Sequence, residues 1–197
     1  MKTQARLELP VSSTPAPLGE EALLDGLRHG DLTTLAAAFD RWHHRVRVLA
    51  RRLLSDDAAA EDVVQEVFTT LSAAARSFRG DAGLETFVLG IAVKRVRRHR
   101  RVALRRQRAL ERLRLEDRRN PDDPERDVYR HQLGRRLASA MDGLPLPQRV
   151  AFVLCEVEQM TAAEAARVAA CPEATVRTRL FHARRRLREI LGSEETR

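Results

Sequence analysis

The stretch from Met160 to Leu191 admits one local geometry: a short helix, a tight turn and a longer, basic helix. Thr161 and Glu164 stand at capping-box spacing, in which each side chain satisfies the other residue's backbone amide and so starts a helix. The body of that helix is Ala165, Ala166, Val168 and Ala169, and it breaks at Ala170-Cys171-Pro172. Pro172 suits the first turn of the next helix, because the amide it lacks would be unpaired there anyway. Val176, Leu180, Ala183, Leu187 and Leu191 then recur at helical period and form a stripe to bury. Arg177, Arg179, Arg184, Arg185, Arg186 and Arg188 fall off that stripe, and no acid interrupts residues 177–188. A pair of this form presents its second helix to the major groove of DNA.

The remaining patterns are helical as well. Aromatic residues make up 4% of the chain, which argues against a β-sandwich. Leu23, Leu24 and Leu27 precede a break at Gly30-Asp31, and Leu32, Leu35, Phe39, Trp42, Val46, Leu49 and Leu53 follow at steps dominated by three and four. Ser55-Asp56-Asp57 caps a third helix with the stripe Val64, Val67, Phe68, Leu71, Ala75 and Phe78. Its first turns carry Glu61, Asp62 and Glu66, which suit the helix dipole. Residues 79–83 read as a loop, with Asp81 placed to cap a helix that buries Leu84, Phe87, Val88 and Ile91. That helix then loses its apolar stripe and becomes almost pure arginine. Asn120-Pro121-Asp122-Asp123-Pro124 is a linker signal, helix resumes near Glu125, and Val150, Val153, Leu154 and Val157 form the stripe of a scaffold helix. The fold class this predicts is all-α: two small helical bundles joined by a basic flexible linker, with a C-terminal helix-turn-helix.

The formal net charge of +8 is unevenly placed. Residues 94–119 hold thirteen Lys and Arg against three acids. The segment therefore carries a net +10 and the rest of the chain −2. Local basicity of that density repels itself unless a polyanion neutralises it. No run of about eighteen apolar residues exists to span a membrane, and residues 1–19, with Pro10, Pro15 and Pro17, lack the apolar core of a signal peptide. They read as a disordered tail on a cytoplasmic protein. Cys155 and Cys171 lie outside any CxxC spacing and read as buried structural thiols. His43 and His44 are adjacent and point about 100° apart on a helix, so one partly buried and one exposed ring is expected, with no metal and no other cofactor.

Two stretches together carry a family resemblance. Residues 60–71 and 77–100 (AEDVVQEVFTTL and SFRGDAGLETFVLGIAVKRVRRHR) resemble region two of the extracytoplasmic-function (ECF) sigma factors, the small bacterial initiation subunits of RNA polymerase. Residues 143–187 resemble their region four. The match spans about residues 20–191. It implies a tail at 1–19, region two at 20–101, a basic linker at 102–131 and region four at 132–192. It also implies a promoter-specificity subunit without catalytic chemistry, working with the polymerase β′ clamp and β subunits and with promoter DNA. The linker would run near the RNA exit path. An anti-sigma partner, in some systems membrane-bound, would hold the protein inactive.

Residue roles follow from the same likeness. Asp62, Gln65 and Glu66 match positions that dock on the β′ clamp helices, where an acidic, amide-bearing face would form charge-assisted bonds; from the residues alone they read as a solvated helix start. Phe78, Arg79, Gly80 and Asp81, within the loop 78–85, match the site that captures a flipped base of the minus-10 element, which must be held by stacking and edge hydrogen bonds. Lys94, Arg97, Arg98 and Arg101 lie on the helix beside it. Arginine all round that helix means several must serve phosphates. Arg177, Thr178, Phe181, His182, Arg184 and Arg185 match positions that meet the minus-35 element, where arginine pairs with guanine and apolar edges rest on thymine methyls. Arg179 and Arg186 fall on the opposite flank, as phosphate contacts. Four positions depart from the family pattern: Lys94 for a common asparagine, Phe87 for tryptophan, His182 for arginine and Cys155 for a phosphate-binding arginine. Lysine only donates where an amide both donates and accepts, so a shifted promoter preference is expected.

Two other classes compete. A dimeric helix-turn-helix repressor would use residues 144–191 on symmetric half-sites and leave the acidic helix and the 79–81 loop without a role. A metal-dependent nuclease built on Asp56, Asp57, Glu61 and Asp62 would need those acids to converge, and they crowd a helix start instead.

Overall fold

A computed structural model describes residues 18–113 and 130–192. Most of the expected tail, the centre of the expected linker and the helix restart near Glu125 lie outside those residues. Among the described residues the elements are helical: α1 (Glu20–His29), α2 (Leu32–Leu54), α3 (Asp57–Ala75), α4 (Leu84–Leu113), α5 (Arg130–Asp142), α6 (Leu146–Phe152) running into a π-helical turn (Val153–Val157), α7 (Ala162–Ala169) and α8 (Glu173–Gly192). No described helix is long and apolar enough to cross a membrane.

Local chemistry sets the helix ends. Gly30 ends α1 in the left-handed region at φ 76°, and its amide returns to Gly26 and Leu27. The Asp31 carboxylate accepts the amides of Thr33 and Thr34 and the Thr34 hydroxyl. Asp56 caps α3 through Ala59. Thr161 and Glu164 form both bonds of the capping box. Hydrogen bonds from Thr34, chiefly its side chain, hold the Asp31 carboxyl below its ordinary value, and the Thr161 hydroxyl does the same for Glu164. A depressed folded-state pKa stabilises the fold above the unfolded value and is lost as pH falls through the folded one. Thermal stability should therefore drop on acidification below about pH 4, and the double variant Asp31→Asn/Glu164→Gln should flatten that drop in a circular-dichroism melt series.

The N-terminal bundle packs α1–α4 around Leu27, Trp42, Val46, Leu49, Val63, Val67, Leu71 and Val88, all buried. The first turns of α2 depart from the expected stripe. Leu32 and Phe39 are 77% and 40% exposed, and Thr34 and Ala38 take the inward positions. The Asp31 cap fixes that rotation by holding Thr34 against α1, where Gly26 leaves room. A Cβ at Gly26 would lie 2.2 Å from the Thr34 hydroxyl oxygen and 2.8 Å from its other side-chain carbons. Gly26→Ala is therefore expected to destabilise the bundle by about 1–3 kcal/mol, as overpacking does, measurable by urea unfolding.

In the C-terminal bundle Ala140, Leu144, Val150, Val153, Leu154, Val168, Val176, Ala183 and Leu187 are buried. Val157, expected in the same stripe, is 37% exposed. The π-helical turn explains it: the Glu158 amide reaches Val153 O, five residues back, so the 3.6-residue count no longer holds. Two boundaries also shift by a residue or two. Thr175 and Val176 bond to Pro172 O, which places Pro172 before α8 and not within its first turn. The Gly83 carbonyl accepts the Phe87 amide at the start of α4, the place expected for Asp81. Helix α4 also continues through residues 102–113, into the expected linker.

The bundles are not separate. Helix α4 lies against α7, and α2 touches α6 and the π-helical turn.

Candidate nucleic-acid interface

The burial of Val176, Ala183 and Leu187 against the rest of the C-terminal bundle fixes which face of α8 looks outward. Arg177, Thr178, Phe181, His182, Arg184 and Arg185 are all exposed, Phe181 at 59%. The Phe181 and His182 rings meet edge to face at 5.5 Å, so the aromatic edge stands on a helix surface otherwise furnished by guanidinium groups. Several of these cations are loosely held. Arg177 pairs with Glu173 at 2.5 Å and Arg185 with Glu189 at 3.4 Å, both one turn away on the surface. Exposed pairs of this kind contribute little and can be exchanged for phosphate or a base edge. Arg184 is held more firmly, against Glu156 of the π-helical turn. Arg179 turns toward the protein, its guanidinium on the Cys171 sulfur at 3.4 Å, which weakens its expected phosphate role.

The loop before α4 forms one wall of a cleft of about 780 Å³. Phe78, Arg79, Asp81, Phe87, Lys94 and Arg97 line it, so the cleft gathers most of the residues expected at a minus-10 site. Phe78 and Phe87 are half-buried with ring centroids 4.7 Å apart, giving a tilted aromatic floor. Gly80 has φ 80°, a turn geometry that favours glycine. Arg28 secures the loop base by donating to Ala75 O and Phe78 O. Arg98 and Arg101 are exposed on α4 and lie outside the cleft. Arg97 points inward, and burial, followed by the nearby Arg179, holds its guanidinium below its ordinary value.

Asp62 and Gln65 are exposed on α3. Glu66 differs from its two companions. It is half-buried, 3.0 Å from His99 Nε2 and 3.5 Å from Arg95 Nη1, and Arg95 also donates to the Thr70 hydroxyl. Glu66 thus ties α3 to the basic helix, a role its spacing does not reveal.

The acids of the nuclease reading are engaged separately. Asp56 caps a helix, Asp57 pairs with Arg51 at 2.5 Å and Glu61 with Arg47 at 3.1 Å. No group of three potential ligands gathers among the described residues. His43 stacks on Phe39 while His44 is exposed. Both cysteines are free and half-buried, less enclosed than expected, and burial, with Glu156, pushes the Cys155 thiol up.

Sequence reading missed the residues that join the bundles: Arg45, Arg52, Arg149 and Glu158. They occur singly and carry no period. Arg149 is 1% exposed, and its Nη1 donates to Asp142, to Leu53 O at the end of α2 and, at 3.4 Å, to the Ser55 hydroxyl.

The family model for sigma-70 region 2 matches residues 38–109 and that for sigma-70 region 4 matches residues 134–187. The RNA polymerase sigma-H factor of Pseudomonas aeruginosa is 28% identical over 181 residues, covering 87% of this chain and 93% of that protein. The ECF RNA polymerase sigma-E factor of Haemophilus influenzae is 29% identical over 176 residues, covering 85% and 92%. Among solved structures, CnrH in complex with the cytosolic domain of CnrY aligns with a TM-score of 0.64 at 21% identity, over 88% of this chain and 97% of that one. The Bartonella quintana sigma factor RpoE, bound to the anti-sigma factor NepR, aligns with a TM-score of 0.58 at 22% identity, over 82% and 98%.

Proposed function

The chain belongs to the ECF subfamily of RNA polymerase sigma factors, and on that footing we propose how its surfaces divide the work of promoter-specific initiation. The observation that carries the reading is the presence of two cationic, aromatic-bearing surfaces: an exposed arginine-and-aromatic flank on α8, and an aromatic-floored, cationic cleft at the head of α4. A solitary repressor would need only the first.

In this reading α8 docks in the major groove at minus-35. Arg177 and Arg184 read base edges, while Phe181 and the Thr178 methyl contact thymine. The cleft at Phe78, Arg79, Gly80 and Asp81 receives an unstacked minus-10 base, Lys94 meets its edge, and Arg97, Arg98 and Arg101 hold the backbone. His182 and Arg185 contribute beside them. Catalysis stays with the core enzyme, and this chain supplies recognition alone, in the cytoplasm. Two of its structural neighbours are bound to regulatory proteins, CnrY and the anti-sigma factor NepR; by analogy an anti-sigma partner restrains this chain too.

Asp62 and Gln65 meet the β′ clamp directly. Glu66 contributes by fixing α3 against α4, since its oxygens face Arg95 and His99. Asp62→Ala/Gln65→Ala is expected to weaken core-polymerase capture roughly thirtyfold, the effect of losing an interface hot spot, with circular dichroism unchanged. Undiminished capture would remove the clamp role from this face.

A further inference from the structure

Acids meet the arginines of α8 in two ways. Arg177 and Arg185 pair along the helix itself, with Glu173 and Glu189 one turn away. Such pairs move with the helix and leave the guanidinium free to swing. Arg184 is met from a different element. Its Nε, at 3.1 Å, and its Nη2 both donate to Oε1 of Glu156 in the π-helical turn. The turn holds that carboxylate in place. Its Val153 and Leu154 are buried, the Glu158 amide returns to Val153 O at 2.9 Å, and the Met160 amide returns to Leu154 O at 3.0 Å. Gln159 Nε2 donates to the Glu156 carbonyl at 2.5 Å. The wider turn that moves Val157 outward thus also sets Glu156 against α8.

A guanidinium has two edges that can each donate a pair of parallel hydrogen bonds. Glu156 takes the Nε and Nη2 edge of Arg184. The edge formed by Nη1 and the second proton of Nη2 is left for a ligand, and the Arg184 side chain is 52% exposed. Pairing with Glu156 also cancels the charge of the group. That makes it a weak ligand for phosphate, where affinity comes from charge neutralisation. Its free donors still match O6 and N7 of a guanine, which is neutral. Arg184 shares a helix face with Arg177 and Phe181 and stands about 10 Å from Arg177 along the axis, the length of a few base pairs.

We propose that Glu156 is a positioning residue for minus-35 recognition, holding Arg184 by one edge so that the other reads a guanine. This rests on the placement of α8 in the minus-35 groove given above. Glu156 itself touches no base. It fixes the plane of the guanidinium before DNA arrives and turns it away from the phosphates on either side, so that Arg184 contributes to sequence choice more than to general affinity.

The test uses the full chain with core polymerase on a promoter taken from its own transcript starts and randomised through the minus-35 element. Sequencing the run-off products gives the base preference at each position. The salt dependence of holoenzyme binding to the promoter duplex is measured beside it. Arg184→Ala is expected to reduce the preference for guanine at one position about tenfold, the scale of one bidentate pair. Glu156→Ala should flatten that same position by a similar factor, leave the positions read by Arg177 and Phe181 as they were, and add nothing further in the Arg184→Ala background. Glu156→Gln keeps the shape and an acceptor oxygen and should retain part of the preference. Stronger binding of Glu156→Ala to every sequence, with the guanine preference intact and the salt slope steeper by about one, overturns the proposal, because Glu156 would then only withhold a phosphate contact. An unchanged profile for either single variant overturns it, as does a loss spread equally over all promoters, the mark of a structural role. A wild type that initiates on no promoter removes the functional assignment and the proposal with it, whereas an active wild type with unaffected variants removes the proposal alone.

Discussion

Arg149→Ala is expected to lower the stability of the C-terminal bundle by about 3 kcal/mol, whereas Arg149→Met should cost less than about 1 kcal/mol. The guanidinium is 1% exposed and spans both bundles, yet its Nε and Nη2 have no hydrogen-bond partner. Burial dominates its electrostatics and pulls its pKa down, although Asp142 opposes that shift. The Asp142 side chain is 47% exposed and rehydrates when the arginine is removed. What alanine loses is therefore the packing of a long stem in a full core, together with the bond to Leu53 O. Methionine refills most of that volume and carries no charge to desolvate. Urea unfolding followed by circular dichroism separates the two variants. Equal, large losses would show instead that the ion pair itself sustains the bundle.

Arg177→Ala/Phe181→Ala is expected to reduce minus-35-dependent initiation about a hundredfold or more, since each base-edge contact discriminates by about 1–3 kcal/mol. Both side chains are exposed, and neither supports the buried stripe of α8, so the fold should survive. Arg186→Ala provides the contrast. A phosphate contact contributes to all sequences alike, so its loss should weaken binding uniformly and reduce the salt slope by about one. Quantitative run-off transcription across a panel of minus-35 substitutions distinguishes the two. If the double variant lost activity equally on every promoter, the flank would be a phosphate contact and not a reader.

What the sequence made legible was periodic or local. The capping box at Thr161 and Glu164 and the stripe at Val176, Ala183 and Leu187 follow from spacing alone, and both are present. The exposed arginines of α8 follow as the complement of that stripe. Spacing failed where one contact reset the count. The Asp31 cap and the space at Gly26 turn Thr34 inward and leave Leu32 and Phe39 outside. A π-helical turn moves Val157 to the surface in the same way. Glu66 reads as one of three equivalent polar residues and is the one turned to Arg95 and His99. The meeting of the bundles had no sequence signal, because Arg149 and Glu158 act singly, across long separations, on partners that no pattern brings together.

Genome-wide run-off transcription with purified chain and core RNA polymerase, followed by mapping of transcript starts, tests the assignment of a promoter-reading subunit most directly. The expected result is a set of start sites sharing one minus-35 and one minus-10 sequence at a fixed spacing, lost when core polymerase is offered without the chain. Initiation that is no greater with the chain than without it, while the chain alone protects symmetric half-sites on duplex DNA, would contradict that assignment and identify a solitary repressor or activator instead.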